Sequence, residues 1–177
     1  ILMGYYNPIH YYGNLKFIKN AMSFGIDGLI IVDLPMEEDE EFYNLSSKNG
    51  LPLIRLVTPT TDERRLKKIL KDAKGFVYYV SVTGITKKKS ASVKHVNNKL
   101  KILKKFTPLP IITGFGIKTP LDAKRMSGVS DGIVIGSVLV EKINEVYKHK
   151  NGKEKIFNFL KSFKQWFSWG NNLNWIT

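Results

Sequence analysis

Short apolar runs recur along the chain: GLIIVDLP at 28–35, PLIRLVTP at 52–59, GFVYYVS at 75–81, PIITGFG at 110–116 and DGIVIGS at 131–137. They are apolar throughout and rich in β-branched residues rather than alternating. That pattern predicts strands covered on both faces, as in a parallel sheet. Amphipathic stretches separate them: NLKFIKNAMSF, EEDEEFYNLSSK, TDERRLKKILKD, SVKHVNNKLKILKKF and TPLDAKRMSG. Leu66, Ile69 and Leu70 fall at helical spacing and form one apolar stripe. Thr61 or Asp62 can cap that helix, Thr119-Pro120 opens another, and Gly25 and Gly50 stand where helices should stop.

Strand centres near residues 30, 54, 78, 111 and 134 are spaced by about 24 residues, with one longer gap. A helix between consecutive parallel strands is the right-handed βαβ unit, and a series of them predicts a (β/α)8 barrel or a doubly wound sheet. Residues 1–3 read as the end of an earlier strand. In a barrel the chain would hold strands three (its end) to eight only. About 95 residues would then lie upstream, given a barrel of roughly 250. The opening ILMGYYNP, which begins inside an apolar run and without methionine, agrees with a fragment. No linker precedes about residue 150, and KEKIFNFLKSFKQWF predicts a last amphipathic helix. The expected organisation is a partial barrel over 1–165 and an irregular tail over 166–177.

Composition narrows the class. With 43% hydrophobic and 12% aromatic residues the chain can build a packed core. No apolar run approaches the ~20 residues of a membrane span, and no signal peptide is evident. The absence of cysteine excludes disulfides and thiolate metal sites, and fits a cytoplasmic protein. The net charge of +13 comes mainly from lysines spread along amphipathic helices, as in LKKILKDAK. Such lysines read as solvated faces, and no zinc-finger or RNA-binding pattern accompanies them, so neither nucleic acid nor membrane is an expected partner.

A barrel builds its active site at the carboxyl ends of its strands and often binds phosphate at the last two. The unusual residues stand there: Asn7, Asp33, Thr58, Tyr78 to Thr86, Gly114 to Gly116, and Gly136-Ser137. Glycines at 116 and 136 let backbone amides approach an anion, and Ser137 would start a helix whose dipole favours negative charge. The acidic run Glu37 to Glu41 is expected to open a helix and serve its dipole rather than chemistry. His10, His95 and His149 are too scattered for a metal site, and no nucleophile elbow is present. Asp33 ends a strand before Leu-Pro, where a structural cap and a functional carboxylate fit equally.

Taken together, LMGYYNPI, DGLIIVDLPMEE, LIRLVTPTTDERR, GFVYYVSVTGIT, ITGFGIKTP and DGIVIGSVLV resemble the tryptophan synthase α subunit family, in order from residue 1 to about 148. The resemblance implies a (β/α)8 lyase that cleaves indole-3-glycerol phosphate to indole and glyceraldehyde 3-phosphate in tryptophan biosynthesis. It implies no cofactor in this chain, pyridoxal phosphate belonging to a β subunit in an α2β2 assembly. By position, Gly116, Gly136 and Ser137 match phosphate-binding residues, Phe115 and Met3 match the indole pocket, and Tyr78 lies beside the substrate. Thr86 matches the loop that closes over substrate and orients a catalytic aspartate, and Asn7 and Pro8 match the surface meeting the β subunit. Two departures stand out. Lys87 replaces a family glycine that contacts phosphate; it can supply a point charge or strain the turn. The family's acid–base pair, a glutamate and an aspartate after strand two, would lie upstream of Ile1, so this chain alone is expected to be inactive.

Other readings remain open at this point. A phosphate-binding barrel such as a thiamine-phosphate synthase or phosphoribosyl isomerase shares the glycine turns but not YYNPI or GFVYYVSVTGIT. A non-catalytic barrel could bind phosphate and a partner without carboxylates. In the tail, NWIT resembles the start of the carboxyltransferase β subunit of acetyl-CoA carboxylase, as readthrough into a neighbouring frame would produce, and a family-specific extension fits equally.

Overall fold

The pattern of buried runs and amphipathic spacers becomes a succession of parallel β/α units in the computed structural model, which describes residues 1–80, 89–114 and 116–166. The chain divides into two units, Ile1–Val80 with Lys101–Ile111, and Ser81–Leu100 with Ile112–Thr177.

In the first unit the strands are β1 (Leu2–Gly4), β2 (Leu29–Ile31), β3 (Arg55–Val57) and β4 (Val77–Val80). The helices are α1 (Tyr6–Tyr12), α2 (Asn14–Ser23), α3 (Glu40–Lys48) and α4 (Glu63–Lys71). β1 pairs in parallel with β2, Leu2 opposite Leu29 and Gly4 opposite Ile31. β3 pairs in parallel with β4, Arg55 opposite Val77 and Val57 opposite Tyr79. Between these pairs Leu29 donates to the Pro52 carbonyl at 2.9 Å and Ile54 to the Leu29 carbonyl at 2.8 Å.

Both faces of these strands are covered, which is why the runs do not alternate. Leu29, Ile31 and Leu53 pack with Ile9, Ile18, Ala21, Phe42 and Leu51 under the helices. Ile30, Ile54 and Tyr78 form the opposite cluster, flanked by Leu56, Phe76 and Val80. Leu66, Ile69 and Leu70 are buried on α4 as their spacing predicts. Asp62, not Thr61, caps that helix, accepting from the Arg65 amide at 2.8 Å; the Thr61 hydroxyl accepts from the Thr58 amide instead. α2 and α3 stop just before Gly25 and Gly50, both at positive φ.

Two boundaries differ from expectation. The acidic run does not lie wholly in a helix: α3 begins at Glu40, and Glu37 and Glu38 precede it. Their neighbour Asp39 is drawn inward by Arg55, and Glu37 pairs with Arg65 at 2.9 Å. The second is α1: YYNPI follows the end of β1, where it was expected, but the helix it forms was not indicated by the sequence pattern. Pro8 sits in the first turn, where a missing N–H is no loss because that turn has no intrahelical acceptor.

Tyr79 is 1% exposed, and its hydroxyl has no partner among the described residues. Burial pushes its phenol up to about 12 from 10.0. An unfolded tyrosine ionises near 10, so this stabilisation is complete below pH 10 and is lost as the pH rises through 10 to 12. The loss should be on the order of 2 kcal/mol. Tyr79→Phe is expected to abolish that part of the decline and to match or exceed native stability at pH 7, since it removes an unpaired hydroxyl. Urea midpoints of both proteins across pH 9 to 12 measure it.

The second unit contains β5 (Ile111–Gly114, from its second residue), α6 (Pro120–Ser127), β6 (Gly132–Val134), α7 (Ser137–Val146) and α8 (Gly152–Lys164). The helix α5 (Lys89–Leu103) joins the two units in sequence. Thr119 and Asp122 form a reciprocal capping box with Pro120 at the first helical position, so α6 starts where the sequence indicates. α8 ends at Lys164, and the Lys124 ammonium lies 4.6 Å from the centre of the Trp166 ring. Trp166 therefore packs on this unit; residues 167–177, the rest of the expected tail, lie outside the described residues.

Candidate functional site

Within the second unit, β5 and β6 run parallel, with Ile112 opposite Gly132 and Gly114 opposite Val134. Gly116 and Gly136 each stand two residues beyond that last matched pair, so the two glycine turns leave the same end of the paired strands. A buried hydroxyl contact of 2.8 Å between Thr113 and Ser130 pins β5 to the residues before β6, and Ser130 also donates to the Gly132 carbonyl at 2.7 Å.

The two glycines serve different needs. Gly116 has φ +77°, a conformation that side chains resist, so the backbone itself selects it. Gly136 has φ −114°, and a Cβ added there would meet nothing within 4 Å. Packing therefore does not require a glycine at 136, and the open space there would let a ligand approach the backbone closely.

Gly136 is the N-cap of α7, and its carbonyl accepts from the Leu139 and Val140 amides at 2.9 and 3.1 Å. The Ser137 and Val138 amides belong to the first helical turn and have no intrahelical acceptor. No acidic side chain occupies that turn, and Gly136 and Ser137 are exposed. Amide donors, a hydroxyl and the positive end of a ten-residue helix dipole thus face outward together, an arrangement suited to a phosphate.

In the first unit, Tyr78 is buried in β4 against Ile30 and Ile54, and burial raises its phenol above the usual range, so it stays neutral at physiological pH. Met3 is half exposed on β1, and Asn7 and Pro8 are exposed in the first turn of α1. Asp33, for which cap and catalytic roles fitted equally, accepts a hydrogen bond from the Tyr6 amide at 2.7 Å. It therefore caps a helix far from it in sequence. A cavity of about 260 Å3 opens beside it, lined by residues 31–36 and 53–56 together with Arg65 and Ile69. Thr86, Lys87 and Phe115 lie outside the described residues.

Sequence reasoning missed the ion pair that borders this cavity. Arg55 on β3 is 9% exposed and Asp39 2%, and the guanidinium bonds the Asp39 carboxylate while lying 4.6 Å from the centre of the Tyr43 ring. The signal was available as a lone arginine inside the apolar run PLIRLV. Among the described residues no three or more metal-ligating groups come together, and no helix is long and apolar enough to cross a membrane.

Known proteins match this arrangement along almost the whole chain. The family model described as tryptophan synthase alpha chain matches residues 1–168. A curated tryptophan synthase alpha chain from Geotalea uraniireducens is 43% identical over 164 residues, covering 93% of this chain and 61% of that protein. The chain thus spans about three-fifths of that relative's length. Among solved structures, the α subunit from Campylobacter jejuni superposes with a TM-score of 0.82 at 38% identity, covering 92% of this chain and 64% of that one. A tryptophan synthase complex from Pyrococcus furiosus superposes at 0.77 with 30% identity, covering 93% and 66%. The parallel β/α units are thereby those of a partial (β/α)8 barrel and not of a doubly wound sheet. The chain belongs to the tryptophan synthase α chain family.

Proposed function

We propose that this chain supplies the phosphate-binding and partner-docking part of a lyase that cleaves indole-3-glycerol phosphate into indole and glyceraldehyde 3-phosphate in tryptophan biosynthesis. The observation that carries the reading is the pair of glycine turns at one end of β5 and β6, one of them opening α7 with no acidic residue in its first turn. In this reading amides near Gly116, Gly136 and Ser137 hold the phosphate, and Lys87 adds a point charge. Phe115 and Met3 border the indole ring, and Tyr78 stands beside the reacting substrate as a neutral phenol.

The bond broken is the one between the indole ring carbon and the glycerol chain. A proton is delivered to the ring carbon, the adjacent hydroxyl of the chain loses its proton to become the aldehyde, and a carboxylate holds the indole N–H. The residues named here bind and orient. Thr86, on the closing loop, would position the catalytic aspartate. The proton transfers are assigned to none of the residues named here. Asn7 and Pro8 would meet a β subunit in an α2β2 assembly in the cytoplasm, and that subunit would carry the pyridoxal phosphate.

Two measurements on the 177-residue chain test this. Calorimetry with glyceraldehyde 3-phosphate should show binding that Gly136→Ala weakens about tenfold, the equivalent of one or two lost amide contacts. The same variant should lose no more than about 1 kcal/mol in urea unfolding, the cost of alanine at an N-cap, because its Cβ has open space. Equal affinity in native and variant would remove the phosphate assignment. Indole released from indole-3-glycerol phosphate by the isolated chain would overturn the reading that these residues only bind and orient.

A further inference from the structure

We infer that Asp33 is a positioning residue for the partner-facing first turn of α1; this rests on the partner reading of Asn7 and Pro8 above. The N-cap position of α1 is Tyr5, whose side chain makes no cap bond, and Pro8 has no amide to offer. The Tyr6 amide is satisfied from a distance by the Asp33 carboxylate at the end of β2, at 2.7 Å. A carboxylate on an N-terminal amide is a charge-assisted bond that also complements the helix dipole.

The rest of Tyr6 is held as firmly. Its hydroxyl accepts from the Asn14 amide group at 3.0 Å, and its ring stands edge-on to Phe42 with centroids 5.5 Å apart. Ile9, one turn on and on the same face, is buried in the core cluster. α1 is therefore seated by Tyr6 and Ile9, and the same seating turns Asn7 and Pro8 outward, where both are exposed. Within this anchor Asp33 is the member that comes from the carboxyl end of a barrel strand. It couples the mouth of the barrel to the docking turn.

A double-mutant cycle separates positioning from general stability. The 177-residue chain is titrated against the immobilised β subunit of the Pyrococcus furiosus tryptophan synthase α2β2 complex, to which it is 30% identical in the α subunit. Asp33→Ala should weaken binding about five- to tenfold, as expected for loss of one cap. Asp33→Asn, which keeps an acceptor oxygen, should stay within about twofold of native. In an Asn7→Ala background, Asp33→Ala should cost less than about twofold further, since Asp33 acts through that turn. Native-like affinity for Asp33→Ala, or full additivity with Asn7→Ala, would overturn the inference while leaving the partner reading intact. Failure of the native chain to bind the β subunit would overturn the partner reading and the inference with it. Protection of the Tyr6 amide from hydrogen exchange, lost in Asp33→Ala and kept in Asp33→Asn, checks the bond directly.

Discussion

Asp39→Ala is expected to destabilise the protein by about 3–5 kcal/mol, enough to unfold a marginal domain. The reason is the partner left behind. Arg55 lies on β3 with 9% of its surface exposed, and Asp39, at 2%, is the carboxylate that neutralises it. Tyr43 covers the guanidinium from one side, and the Arg55 Nε has no acceptor among the described residues. Without Asp39 a permanently charged guanidinium would remain out of water. The charge cannot be relieved by deprotonation, because arginine does not lose its proton in proteins.

The pair itself contributes less than its rupture costs. Desolvating two charges offsets most of their attraction, so Asp39→Leu with Arg55→Met should recover most of the loss. Urea unfolding of the two single variants and the double decides the matter. A loss below about 1 kcal/mol in Asp39→Ala would show that water reaches the guanidinium. The second acidic contact nearby makes a useful contrast: Glu37 and Arg65 are each about half exposed, and Glu37→Ala should change stability by less than about 1 kcal/mol.

Gly152→Ala is expected to cost about 2–3 kcal/mol, in the range of overpacked cores. Gly152 is buried at the first position of α8, directly against the end of α7. A Cβ there would fall inside the van der Waals contact of the Val146 carbonyl oxygen, 3.3 Å from that carbonyl's carbon and 3.8 Å from the Tyr147 Cα. All three are backbone atoms, so no side-chain rotation can make room. Val146 is itself fully buried, which ties the α7 terminus in place. Thermal melts of Gly152→Ala against Gly128→Ala, whose added Cβ would meet nothing within 4 Å, isolate the steric effect from the change of residue type. Equal melting temperatures would mean that α7 and α8 can separate without cost.

The contrast between Gly152 and the two turn glycines marks where local pattern stops being informative. GFG and IGS each follow an apolar run, so a close-approach turn could be inferred from neighbours in sequence. Nothing beside Gly152 in KNGKEK distinguishes it from an ordinary helix start; its burial comes from the way α8 folds back on α7. Asp33 behaves similarly. Its place at a strand end was legible, but its partner is the Tyr6 amide, 27 residues earlier, and only the pairing of β1 with β2 brings the two together. α1 is short, and Pro8 in its first turn costs nothing because that turn has no intrahelical acceptor.

Strand and helix succession, the α4 stripe, the Thr119 cap and the glycine turns followed from the sequence by itself. Each depends on periodicity or on turn chemistry within a few residues, where sterics and hydrogen bonding act locally. Family membership followed too, because those motifs occur in a fixed order. The tertiary structure alone decided that Asp62 rather than Thr61 caps α4 and that Asp33 serves α1. It also decided that Asp39 turns inward to Arg55 instead of capping α3. Each of those is a choice of partner for a polar group among several within reach. Burial settles it, since a group removed from water takes whichever counterpart the packing brings to it.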